Sequence, residues 1–326
     1  MIDRRTFLAG TGALLLATPL AAGAQSGRKT ARVGVLYPGS DNAVFRGNFD
    51  GFRQALVAAG YVEGRNLTVD VRLGDGRALA PLAVELTTLR PDLVLAVARP
   101  GVMAMQAATS TIPVVAIDLE SDPVASGFVK TLPRPGGHLA GVFMDFPELA
   151  GKWLEILKMT VPALAKVAVL WDPATGPAQL DAARRAAEVL KLAVYPVEAR
   201  STAEIGPAIQ QAMRERPNGL IALTSPLFNS GRRAIIESTA RHRLPSLLPF
   251  SGYAKDGGLT SYGPDVMTMY GQAGTIAVKI LTGTPPREIP IERPTRFTLS
   301  FNLTTAKTLG LTIPPSLLGR ADEVIQ

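Results

Sequence analysis

From Arg32 onward, short runs of β-branched and aliphatic residues alternate with stretches whose apolar positions recur every three and four residues. Val33-Gly34-Val35-Leu36 reads as a strand. Phe45, Phe49, Phe52 and Leu56 then share one face of a helix over 45–59. A strand over 66–71, a helix over 79–89, a strand over 93–97, a helix over 101–108 and a strand over 114–117 continue the rhythm. It restarts with strands over 166–170, 193–197 and 219–223 and helices over 177–190, 203–214 and 228–242. Strand-helix-strand alternation with apolar strands predicts parallel sheets covered on both faces. The restart predicts two of them.

Between the halves, 122–146 holds Pro123, Pro133, Pro135, Gly136 and Gly137, turn formers suited to a passage between lobes. After them come Gly257 to Gly263, a helix over about 265–281 and an extended stretch over 289–301. One strand and one helix are too little for a third domain, so they are expected to complete the first lobe's sheet. The expected division is 31–143 plus about 256–292 for one lobe and 144–255 plus about 293–326 for the other. Hinges are expected near Met144, Phe250 to Gly252 and Arg293 to Arg296. The fold class is α/β, two doubly wound lobes facing each other across a cleft, where ligands of open parallel sheets bind.

The first residues add a location. Arg4-Arg5 precedes Thr6-Phe7-Leu8, an apolar run around Ala13 to Ala17 and Ala22-Gly23-Ala24. This order is that of an export signal of the twin-arginine type over 1–24, too short in its apolar part to span a membrane, for which roughly 20 residues are needed. No Cys follows to carry a lipid, so a free periplasmic protein starting near Gln25 is expected. The net charge of +7 loses one negative and two positive charges with that segment, and its Lys and Arg residues are scattered, which argues against nucleic-acid binding. Without Cys there are no disulfides or thiolates, and a chain with 47% hydrophobic and 19% charged residues builds its core without them.

Candidate chemistry lies just after the strand ends. In the first lobe these residues are Tyr37, Ser40, Asp41, Arg99, Pro100, Asp118 and Asp122, and in the second Trp171, Asp172, Thr224, Ser225 and Phe250; Tyr262 joins them. Ser40 and Ser225 offer hydrogen bonds, and Asp118 or Asp122 a partner for an ammonium. Tyr37, Phe250 and Tyr262 offer flanks for an aromatic or alkyl body. Arg99 suits a carboxylate, with a salt bridge to Glu120 or Asp118 as its alternative. Trp171 is either ligand-facing or a packing residue. Arg134-Pro135-Gly136-Gly137 lacks a phosphate loop's strand and helix and reads as a turn. No metal site, cofactor or enzyme is expected: His138 and His242 are far apart, and no nucleophile elbow, Walker loop or dinucleotide fingerprint occurs.

Six separated strings complete the sequence reading. They are Ala59-Gly60-Tyr61-Val62-Glu63-Gly64-Arg65-Asn66, Thr109 to Val115, Arg134-Pro135-Gly136-Gly137, Val167 to Pro173, Gly257 to Gly263, and Leu309 to Leu318 followed by Arg320 to Ile325. Together they resemble the ABC-transporter substrate-binding proteins of the tryptophan/tyrosine type, on the type I periplasmic-binding-protein fold. The resemblance implies a receptor that closes on a small molecule, an aromatic amino acid or related carboxylate, and delivers it to a membrane permease and ATPase as a monomer or weak dimer. A sensor protein as consumer, or a periplasmic enzyme, are the alternatives. The chain departs from the family pattern at Ser121, ahead of Asp122-Pro123-Val124, where Gly is usual. It departs again at His138-Leu139-Ala140 in place of Asn-Ile/Val-Thr.

Overall fold

Strands in the middle of a parallel sheet must be apolar on both faces, and that requirement selects the first sheet. A computed structural model describes residues 30–74, 76–144, 146–250 and 252–326; the signal expected over 1–24 lies outside the described residues. The first sheet holds β1 (Ala31–Pro38), β2 (Leu67–Gly74), β3 (Leu93–Val97), β4 (Val114–Asp118) and β5 (Leu139–Phe143). Its order is β2-β1-β3-β4-β5, parallel throughout. Every residue of β3, β4 and β5 is buried. The connections are α1 (Ala43–Ala58), α2 (Leu79–Thr88) and α3 (Ala98–Ala108). Asn42 caps α1 by accepting the Phe45 N–H, and Phe45, Phe49, Phe52 and Leu56 form its buried face, as their spacing predicts.

The second half runs through α4 (Phe146–Thr160), β6 (Lys166–Trp171), α5 (Ala178–Val189), β7 (Ala193–Glu198), α6 (Thr202–Ala212) and β8 (Gly219–Ala222). Then follow α7 (Pro226–Ser230), α8 (Arg232–Arg241), β9 (Ser246–Leu248), α9 (Gly252–Lys255), β10 (Thr260–Pro264) and α10 (Val266–Leu281). The chain ends with β11 (Phe297–Asn302), α11 (Leu303–Thr308), α12 (Pro315–Leu318) and β12 (Glu323–Ile325). These strands form a seven-stranded sheet in the order β12-β11-β10-β9-β8-β6-β7, in which only the β10–β11 pairing is antiparallel.

Three expectations need correction. The strand after Gly257 joins the second sheet, with Thr260 paired to Leu247 on one side and Phe301 on the other. Its partner β9 has three residues, too few to show a period in sequence. The helix after it does pack on the first lobe, along α1 and over β3, β4 and β5. The middle crossing therefore lies between Pro264 and Val266 rather than at 250–252. Second, the turn-rich passage over 122–146 ends in β5, an edge strand of the first sheet. Third, the helix expected over 228–242 is split into α7 and α8 at Gly231.

The α1–α10 packing depends on two small residues. A Cβ at Gly51 would overlap the Met267 carbonyl, and one at Gly274 would come within 2.6 Å of the Ala55 Cβ and 2.8 Å of the Phe52 carbonyl. Absence of a side chain at both lets the helices approach backbone to backbone.

Candidate functional site

Loops at the carboxyl ends of β1, β3, β4 and β8 meet the residue at 250 and the start of α10 around one small cavity of about 40 Å³ that opens to solvent. Its lining comes from both lobes: Tyr37, Asn48, Val97, Ala98, Ile117, Leu119 and Glu120 with Val266 and Tyr270 of α10, and Pro226, Asn229 and Phe250. Strand order explains the position, since parallel strands end on one edge and their side chains there face the opposite lobe. The chain passes from β3 into α3 with no linker, and Ala98 at the turn has φ of 57°, a left-handed conformation that costs an L residue on the order of 1 kcal/mol. Thr224, after β8, bridges the lobes. Its hydroxyl lies 3.3 Å from the Leu119 carbonyl and 2.8 Å from Gln179 Oε1, where it donates. Gln179, fully buried, also accepts the Thr224 N–H at 2.8 Å and donates to the Thr224 carbonyl at 2.9 Å.

Of the residues predicted from sequence, Tyr37 and Phe250 line the cavity. Tyr37 is buried, its ring 4.6 Å from that of Phe45. Asp118, Asp172, Thr224 and Ser225 are buried next to the cavity rather than in its wall. Asp172 accepts the Ser225 hydroxyl at 2.6 Å and the Ala174 N–H at 2.9 Å, so both side chains hold loops together. Trp171 is half-buried and donates its indole N–H to the Gly176 carbonyl at 3.0 Å.

Others lie elsewhere. Ser40 and Asp41 are exposed, Asp41 pairing with Arg46 at 2.7 Å. Pro100 is half-buried in the first turn of α3, and Asp122 is an exposed turn residue accepting the Val124 and Ala125 N–H groups. Tyr262 lies on another groove, with Lys152, Arg293 and Phe297, and its ring stacks on Phe297 at 6.0 Å. Arg99 forms neither proposed ion pair. Its backbone N–H donates to Glu120 Oε2 at 3.1 Å, while its guanidinium donates to the Ser121 and Ser126 hydroxyls at 2.9 and 3.0 Å and lies 5.8 Å from the Phe128 ring centre.

Sequence reasoning missed Glu120, although it lies inside the 118–122 stretch, because it was considered only as a partner for Arg99. Asn48, Asn229 and Tyr270 were missed because they sit on helices rather than at strand ends. Glu120 is 3% exposed, and burial pushes its carboxyl well above the ordinary range, helped by the neighbouring Asp118 carboxyl. Burial also raises Asp118, whose Oδ1 accepts the Glu120 and Ser121 N–H groups at 2.8 and 3.1 Å and whose Oδ2 is buried with no hydrogen bond. Burial raises the Tyr37 and Tyr270 phenols, and for both the Glu120 carboxyl adds to the rise. Among the described residues no cluster of His, Asp or Glu is arranged to hold a metal ion, and no helix is long and apolar enough to cross a membrane.

The profile of the ABC transporter substrate binding protein family matches residues 32–325. A curated relative, the tyrosine-binding protein of Clostridioides difficile strain R20291, is 25% identical over 265 residues, covering 80% of this chain and 76% of the relative. Among solved structures, the ABC domain in complex with L-Trp from Streptococcus pneumonia is 25% identical, covers 91% of this chain and 100% of its own, and superposes with a TM-score of 0.83. A conserved domain protein from Vibrio cholerae O1 biovar El Tor is 26% identical with the same coverages and a TM-score of 0.84. With its two parallel-sheet lobes and a cavity between them, this chain belongs to the ABC transporter substrate binding proteins, receptors rather than enzymes.

Proposed function

We propose that the protein is the periplasmic receptor of an ABC importer and captures an aromatic amino acid by closing its lobes. The observation that carries this reading is the cavity itself, walled from both lobes and carrying the rings of Tyr37, Phe250 and Tyr270. A similar chain is named for tyrosine and another is solved with L-Trp. The twin-arginine segment over 1–24 supports export, and the three lobe crossings support hinged closure. A ligand that bridges the lobes favours the closed form only by its greater affinity for it, and the membrane permease and ATPase would read that form.

A thermal-shift screen of residues 25–326 tests this. Aromatic amino acids at about a hundred times their dissociation constant are expected to stabilise the protein by about 2.7 kcal/mol, seen as a raised Tm, and to be recovered unchanged. A shift with sugars or nucleosides and none with aromatic amino acids would overturn the ligand class.

A further inference from the structure

Among the described residues lining the cleft cavity, Glu120 is the only acidic one, and neither Lys nor Arg is among them. Three aromatic side chains, Tyr37, Phe250 and Tyr270, share the wall with it. A carboxyl set among aromatic rings, away from bulk water, is a receptor for a cation: the ring faces attract positive charge and the carboxylate pairs with it. We propose that Glu120 and these rings bind a protonated nitrogen of the ligand, so that the amine, rather than a carboxylate, is what the cavity demands. This rests on the solute-receptor reading but does not require the ligand's body to be aromatic.

Binding would move a proton. The groups facing Glu120 are Asp118 at the end of β4, the Arg99 backbone N–H at the start of α3, Tyr37 at the end of β1, Tyr270 on α10 and Asp172 beyond β6, while the Arg99 guanidinium, turned to Ser121 and Ser126, acts on Asp118. Burial and the two Asp side chains favour the neutral acid. An arriving ammonium favours the anion. The carboxyl O–H bond therefore breaks, its proton passes to solvent, and the ammonium keeps its own protons while pairing with the carboxylate. Affinity is expected to rise with pH until Glu120 is ionised before the ligand arrives, and to level off there.

The test uses matched pairs that share one body and differ in charge: tryptamine against indole-3-propionate, tyramine against 3-(4-hydroxyphenyl)propionate, and isopentylamine against 4-methylpentanoate. Calorimetry on residues 25–326 in buffers of different ionisation enthalpy reads affinity and proton release together. At least one amine is expected to bind with proton release, and its acid counterpart to bind on the order of a hundredfold more weakly. Glu120→Gln, which keeps an acceptor for the Arg99 N–H, is expected to abolish the proton release and weaken the amine comparably. Acids binding as well as amines, or no amine binding at all, would overturn the inference. Binding of acids alone would do so while leaving the receptor reading intact; binding of isopentylamine alone would sustain the inference and overturn the aromatic ligand.

Discussion

Glu120 and Asp118 impose a cost that a pH titration can expose. Unfolded, their carboxyls titrate near 4. Folded, burial holds both higher. Between those limits the folded chain keeps protons that the unfolded chain has lost, so stability from this pair is complete below the unfolded value and falls as pH climbs through the folded one. The ligand-free protein is expected to lose Tm as pH rises from the carboxylate range, and Glu120→Gln to flatten that slope; an equal slope in the variant would refute the assignment. Thr224→Val removes the hydroxyl between Leu119 and Gln179 while keeping the shape, and should cost about 1–3 kcal/mol in urea unfolding because the Leu119 carbonyl loses that donor and Gln179 Oε1 keeps only the Thr224 N–H. Tyr37 was legible because it sits at the end of the apolar run of β1. Glu120 was not singled out, since a carboxylate beside an Arg first suggests a salt bridge, and only the fold shows the guanidinium turned toward Ser121 and Ser126.

Helices and strands were legible where they were long. The face of α1, the span of α10 and the buried runs of β1, β3 and β6 follow from period and composition. Two strands were not: β9 holds only three residues, too few to show a period, and β5, as long as β3, follows a passage of Pro and Gly that reads as turns. Missing β9 is what sent β10 to the wrong sheet. The α1–α10 contact is the tie between the first lobe and the chain's return, and it tolerates no bulk at Gly274. Gly274→Val is expected to force the helices apart and destabilise the protein by about 1–3 kcal/mol in denaturant unfolding. Gly47→Ala in α1, where an added Cβ meets nothing within 4 Å, serves as the control and should be neutral or slightly stabilising.

Taken whole, the molecule is two sheets joined by three crossings, with the Asp172–Gly176 loop of one lobe packed against α3 of the other. A Cβ at Gly176 would lie 3.3 Å from Arg99 Nε. Small-angle scattering is expected to give Thr224→Val a larger radius of gyration than the parent, because a contact between lobes is lost while each lobe's sheet is kept. The loop's other anchor is the indole of Trp171. Of the chain's two tryptophans, Trp153 is sealed in the core with its N–H on the Tyr262 carbonyl, whereas Trp171 stands half-exposed where the lobes meet. Under the proposed closure, one indole is a fixed background and the other a native optical gauge of that motion. A non-indole ligand should change the emission of the parent protein but not that of Trp171→Phe, so the rate at which the receptor shuts can be followed in stopped flow without attaching a dye.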